Sequence, residues 1–323
     1  MQQPHALEVR DFTVRTPAAP RSWYGEALLA AAQHDPRIVC LTADLTTSTE
    51  TNLFRDRFPD RFFQAGIAEA NMIGVAGGMA RAGDIPFVHS FSVFVTRRCY
   101  DQVAMQMAYP RLPVKIVGML PGLTTNLGVS HQAIDDIALM RSLPNMMVIE
   151  PSHPGQVAAA VEAALGYDGP VYLRMRRMSG TSARTDEPAL DSVALLRDGD
   201  DGLIVACGLM IDIALQAAEV LADEGVSVAV AELATIKPVA PELAALVRRF
   251  PVVVTAENHS IIGGLGSAVA EVVAETGAGC RFGRIGVQDC FAEGGTTPYL
   301  FQQYGLDVPS VVAAIRRVRD RHA

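Results

Sequence analysis

Short apolar runs alternate with stretches of helical spacing along most of the chain. The runs at residues 37–43, 86–90, 114–119, 146–150 and 171–175 are compact, as strands of a buried parallel sheet should be. Between them, residues 22–34, 69–81, 95–108, 131–141 and 154–167 carry apolar side chains at helical spacing. A polar stretch at 179–191 interrupts the pattern, which then restarts. Strands are predicted at 203–207, 226–233, 252–256 and 284–287, and helices at 210–224, 241–250, 265–276 and 308–319. Strand–helix alternation favours a sheet with helices packed on its faces. The fold class is therefore α/β, with two doubly wound domains and mostly parallel sheets. Such sheets bind ligands beyond the carboxyl ends of their strands. Residues 44–50, 66–69, 91–98 and 120–131 all fall there.

Composition narrows the function. Of 323 residues, 50% are hydrophobic and 19% charged, so a large core is available. The net charge of −8 argues against a nucleic-acid surface or an anionic membrane surface. The five cysteines are scattered and form no Cys-x-x-Cys pair, which fits a reducing cytoplasm rather than a disulfide framework or a zinc site. Residues 1–21 carry charges and prolines and lack the apolar centre of a signal peptide. No apolar run approaches membrane-spanning length. The expected location is cytoplasmic.

The most unusual stretch is Gly66-Ile67-Ala68-Glu69 and the small-residue helix that follows it to Ala80. Gly74, Gly77 and Gly78 would each cost about 1 kcal/mol against alanine in an exposed helix, and make sense where a backbone or flat ligand packs closely. Glu69 is the one charge from Ala65 to Ala80. A carboxylate among apolar neighbours is costly unless paired, which makes it a candidate for proton chemistry; the alternative is a place on the wet side of the helix. Phe91 and Phe94 follow a strand end, where a ring can stack on a flat heteroaromatic ligand or simply fill core. His131, after a glycine-containing loop and with Ser130 as a helix cap, can transfer a proton, hold a hydroxyl, or lie on the surface. Gly263-Gly264-Leu265-Gly266-Ser267 resembles a phosphate cradle, but tight packing of a helix start explains it better. Glu257-Asn258-His259 at a strand end suits an interface or a turn. There is no P-loop, no Gly-x-Ser-x-Gly elbow and no metal-ligand spacing.

An ordered set of these motifs resembles a known family. Ala43-Asp44-Leu45-Thr46-Thr47-Ser48, Gly66-Ile67-Ala68-Glu69, residues 91–102, Ser130-His131-Gln132 and Asp135-Asp136 together resemble the pyrimidine-binding domain of transketolase and its relative deoxyxylulose-phosphate synthase. Residues 198–323 resemble the transketolase C-terminal domain. The implied organisation is a flexible arm at 1–19, a pyrimidine-binding domain at 20–183, a linker at 184–197 and the C-terminal domain at 198–323. The resemblance implies thiamine diphosphate and Mg2+ as cofactors, shared with a separate N-terminal subunit that holds the metal and diphosphate, in an α2β2 heterotetramer. Glu69 is implied to bond the pyrimidine ring nitrogen and to act on substrate only through the cofactor. Phe94 matches the stacking aromatic, with Phe91, Asp44, Leu45 and Arg97 near the cofactor. Ser48, Arg21 and Arg174 fall near positions that bind a sugar phosphate, and His131 matches a histidine that meets donor hydroxyls.

The chain departs from the family where the loop before Ser130-His131 usually reads Gly-Glu-Asp-Gly. Here it reads Thr125-Asn126-Leu127-Gly128, without the aspartate expected to recognise a sugar hydroxyl. Loss of such a contact changes substrate choice. The expected activity is transfer of a two-carbon ketol unit between keto-sugar and aldehyde substrates, with a non-standard donor or acceptor. Two alternatives share the fold: the β subunit of a 2-oxo acid dehydrogenase complex, and a non-catalytic scaffold.

Overall fold

The computed structural model describes residues 21–178 and 190–320. The expected arm at 1–19 and the first part of the expected linker, 184–189, lie outside them. In chain order the strands are β1 (Ile38–Thr42), β2 (Phe62–Gln64), β3 (Ile85–Phe91), β4 (Lys115–Met119), β5 (Met147–Ile149), β6 (Val171–Met175), β7 (Ala194–Arg197), β8 (Gly202–Ala206), β9 (Val228–Glu232), β10 (Thr235–Lys237), β11 (Val252–Ser260) and β12 (Arg281–Val287). The α-helices are α1 (Trp23–His34), α2 (Asn52–Arg57), α3 (Glu69–Ala82), α4 (Ser92–Arg97), α5 (Tyr100–Val103), α6 (Asp136–Ser142), α7 (Gln156–Gly166), α8 (Met210–Asp223), α9 (Glu242–Val247), α10 (Leu265–Thr276), α11 (Thr297–Gln303) and α12 (Val308–Arg319).

Two sheets organise the chain. The first has seven strands in the order β10-β5-β6-β4-β3-β1-β2, and the second five in the order β12-β11-β8-β9-β7. Pairing is parallel except at one edge of each sheet, where β10 and β7 run antiparallel to their neighbours. The central strands β1, β4 and β6 are buried along their whole length, the reason their sequences run apolar without alternation. One apolar cluster runs through both domains, joining Met72 and Ile73 of α3 and Met140 of α6 to Leu203 and Val205 of β8 and Leu265 of α10.

The structure corrects four sequence expectations. Residues 194–197, assigned to the linker, are β7, an edge strand paired with β9. β10, from the second half of the chain, completes the first sheet through Thr235 and Ile149, so the two domains share a strand. The helix expected at 95–108 is broken at Arg98 and Cys99, followed by α5 and a π-helical turn at Ala104–Ala108; the Cys99 thiol donates to the Val95 carbonyl at 2.9 Å, where the helical ladder would continue. The helix expected from His131 begins only at Asp136. Residues 131–135 are held open because the carbonyls of Ala133 and Ile134 accept from Gly122 N (2.9 Å) and Ser260 N (2.8 Å). Ser130 therefore caps no helix, and its hydroxyl pairs with His131 Nδ1 at 2.9 Å.

Candidate active site

The carboxyl ends of β1, β3 and β4, which are neighbours in one parallel register, open on the same side of the first sheet, with the loop after β2 beside them. That loop turns at Gly66 (φ +69°), where no neighbour would obstruct a ligand. Helix α3 then starts directly with Glu69, whose carboxylate sits at the positive end of the helix. Glu69 is only 3% exposed. The Ser90 hydroxyl donates to its Oε1 at 3.3 Å, and Arg98 Nη1 lies 3.4 Å from Oε2 and 3.5 Å from Oε1. The carboxylate is thus buried with long contacts, and much of its hydrogen-bonding capacity is open to a further donor.

An aromatic wall stands next to it. Phe91 and Phe94 have ring centroids 5.9 Å apart, and the His131 imidazole meets Phe94 edge-on at 5.1 Å. His131 lies 6.2 Å from Phe91, which closes a three-ring cluster from two segments distant in sequence. The loop that carries His131 is held by the second domain. Asn258 Oδ1 accepts from Leu123 N (2.9 Å), Gln132 Nε2 donates to Glu293 O (2.9 Å), and Thr297 Oγ1 donates to Leu123 O (3.2 Å). Gly122, at φ +59°, leaves room for the Asn258 side chain that a Cβ would overlap. This is the interface role open to Glu257-Asn258-His259. Leu127 is exposed in this loop, so the apolar substitution seen in sequence faces outward.

Other residues named from sequence divide into two groups. Asp44 is exposed with φ +57° just past β1, its amide bonded to Gln64 Oε1 at 2.7 Å, and Leu45 and Ser48 follow it half-buried in the same loop. Arg21 is engaged locally, paired with Glu26 at 2.7 Å and stacked on Trp23 at 3.8 Å. Two arginines expected near ligands are engaged within the chain. Arg97, expected near the cofactor, grips Asp135 with its guanidinium at 2.8 and 2.9 Å and the Gln132 carbonyl at 3.2 Å, pinning the His131 segment. Arg174 cannot meet a sugar phosphate in this arrangement. Its side chain has no solvent exposure and is saturated by Asp136 (2.7 Å), Glu150 (2.7 Å), Ala133 O and Asn258 O. Burial would raise the Asp136 carboxyl, but the Arg174 charge and hydrogen bonds outweigh it and hold the group below the usual carboxylate range.

Sequence reasoning missed Arg98. Its signal was an arginine four residues after Phe94, and the helical stagger places its Cζ 3.9 Å from the Phe94 ring centroid. The glycine-rich 263–267 segment holds an acid side chain of this chain's own: Glu257 accepts from Leu265 N (2.7 Å) and Gly266 N (2.9 Å), and its carboxyl group lies where a Cβ on Gly264 would go. That settles the phosphate-cradle reading in favour of packing. Burial pushes the Glu257 carboxyl up to about 7 against those two N–H groups. Burial also pushes the adjacent His259 imidazole down to about 4. Among the described residues, no group of three His, Cys, Asp or Glu side chains is placed to hold a metal ion, and no helix is long and apolar enough to cross a membrane.

Two family models cover this arrangement: "Transketolase, pyrimidine binding domain" matches residues 17–181, and "Transketolase, C-terminal domain" matches residues 191–311. The chain belongs to the transketolase family. It is 42% identical over 327 aligned positions to the 6-deoxy-6-sulfo-D-fructose transketolase subunit SqwH of Clostridium sp. (strain MSTE9), covering 99% of both chains. It is 37% identical to the 1-deoxy-D-xylulose-5-phosphate synthase of Syntrophotalea carbinolica over 93% of this chain but 48% of that longer protein. Among solved structures it resembles "Split gene transketolase, inactive beta4 tetramer", with a TM-score of 0.84, 42% identity, and coverage of 92% of this chain and 97% of that one.

A pyrimidine-binding domain implies an enzyme family that uses thiamine diphosphate. The residues of this transketolase-family site fit the pyrimidine end of that cofactor. A flat nitrogen heterocycle needs an aromatic face and a carboxylate at its edge, and Phe94 with Glu69 supplies both beside an unobstructed glycine turn.

Proposed function

We propose that this chain is the pyrimidine-side, C-terminal subunit of a split thiamine-diphosphate-dependent transketolase that moves a two-carbon ketol unit. The observation that carries the reading is Glu69, buried at the start of α3 and next to the Phe91, Phe94 and His131 rings. Bound thiamine diphosphate would supply the nucleophilic carbon and the electron sink that ketol transfer needs. Glu69 would hold the hydrogen shared with the pyrimidine nitrogen. Phe94 would stack on the ring, and Phe91 would back it. His131, held by its ring contacts and by Ser130, would bond a hydroxyl of the donor. Asp44, Leu45 and Ser48 would line the approach from the end of β1.

The diphosphate and its Mg2+ would be held by a separate N-terminal subunit, in an α2β2 assembly. The match to a subunit-length relative over 99% of both chains supports this division. The donor is proposed to differ from that of an ordinary transketolase, because Thr125-Asn126-Leu127-Gly128 lacks the aspartate expected to recognise a sugar hydroxyl. The substrate in the name of the Clostridium relative, 6-deoxy-6-sulfo-D-fructose, is one donor of the class proposed. The test is ketol transfer by this chain co-expressed with a diphosphate-binding transketolase subunit. Transfer from the sulfonated ketose with little from xylulose 5-phosphate supports the reading. Ordinary transketolase rates on xylulose 5-phosphate would defeat the altered-donor part, and no transfer with no cofactor binding would defeat the whole.

A further inference from the structure

We propose that Arg98 is a placeholder for the cofactor's pyrimidine: its guanidinium covers the Phe94 face and the Glu69 carboxylate, and both contacts must be given up when the ring enters. The inference rests on the pyrimidine-site reading above. It begins from a coincidence of partners. Glu69 and Phe94 are the two groups assigned to the heterocycle, and Arg98 engages both at once, with Cζ 3.9 Å from the Phe94 centroid and Nη1 3.4 and 3.5 Å from the two carboxylate oxygens. A guanidinium is flat, stacks on aromatic faces and donates N–H groups in its own plane to a carboxylate. An aminopyrimidine is also flat, stacks, and meets a carboxylate at its edge. The two compete because they satisfy the same acceptor and the same ring.

The surroundings make Arg98 the movable member. Neighbouring Arg97 is fixed by two bonds to Asp135 and one to the Gln132 carbonyl. Arg98 sits at the break between α4 and α5, half its side chain faces solvent, and its contacts with Glu69 are long. An ion pair with one exposed partner is weak, and an exposed cation–ring contact is weak as well. Together they suffice to cover a buried carboxylate while remaining easy to displace.

The experiment measures thiamine diphosphate affinity by titration calorimetry, with Mg2+ present, on this chain co-expressed with its diphosphate-binding partner. Arg98→Met keeps an unbranched stem and removes the planar cation. It should bind the cofactor about three- to tenfold more tightly than wild type, the size expected from losing one long, half-exposed ion pair and one stacking contact. Arg98→Gln, a second variant of similar length, should shift affinity the same way. Unchanged or weaker binding in either variant, beside a wild-type complex that does bind, overturns the placeholder role alone. A wild-type complex that binds no thiamine diphosphate overturns the pyrimidine-site reading, and this inference with it.

Discussion

At the residue scale, the site depends on one buried carboxylate held by two long, easily exchanged contacts. Glu69 lies at the positive end of α3, where the Ser90 hydroxyl and the Arg98 guanidinium meet its oxygens at long distances. Glu69→Gln keeps the volume and removes the negative charge. Turnover by the reconstituted complex should fall to background while the circular dichroism spectrum and melting temperature stay near wild type, so a variant with substantial turnover would remove Glu69 from the chemistry. Phe94→Ala removes the ring that His131 meets edge-on. It should weaken cofactor binding by about 1 kcal/mol beyond the lost burial, roughly a fivefold rise in dissociation constant. A calorimetric titration with no change would show that Phe94 fills core and does not stack.

At the element scale, the start of α10 is governed by a buried acid. Glu257 accepts from Leu265 N and Gly266 N, with the His259 ring 3.7 Å away. The two groups titrate in opposite senses on folding. The Glu257 carboxyl is raised from 4.5 to about 7, so the native chain keeps a proton that the unfolded chain releases. Its contribution to stability is full below pH about 4.5 and is lost as pH rises through about 7. The His259 imidazole is lowered from 6.5 to about 4, so its contribution is present above pH 6.5 and is lost as pH falls through about 4. Glu257→Gln should therefore remove a declining component between pH 4.5 and 7, leaving stability that rises more steeply with pH than in wild type. Urea unfolding across that range, compared as a difference between the two proteins, reads this directly. Identical slopes would mean that Glu257 does not titrate there.

At the scale of the whole molecule, Arg174 ties the domains together. It binds Asp136 and Glu150 of the first domain and the Asn258 carbonyl of the second, with no exposure of its side chain. Glu150 also accepts from the Cys207 thiol across the boundary at 3.2 Å. Arg174→Met leaves two buried carboxylates without their cation and should cost about 3–5 kcal/mol in urea unfolding, with the His131 loop loosened because it hangs from the same interface. A loss below about 1 kcal/mol would show that the network is hydrated in solution. Cofactor binding belongs to the same scale. Tight binding of thiamine diphosphate and Mg2+ is expected only when the diphosphate-binding subunit is present, and tight binding to this chain alone would contradict the division of the site.

What the sequence determined is what neighbouring residues can encode. The continuous apolar runs at β1, β4 and β6 announced parallel strands, the glycine before Glu69 announced a turn into a helix, and the ordered motifs announced the family. Tertiary structure alone decided which charges met. Asp136 and Arg174 are 38 residues apart, and Asn258 lies 84 beyond Arg174, so no local period relates them. The same holds for the 131–135 segment: its spacing is helical, but Gly122 and Ser260 take its backbone hydrogen bonds. Arg98 sat in plain view four residues from Phe94. Its meaning appeared only when α3 and α4 packed side by side and brought Glu69 within its reach. Burial preference is a property of each residue and its near neighbours, and it survives in the sequence. Pairing depends on where distant segments cross, and that exists only in the folded chain.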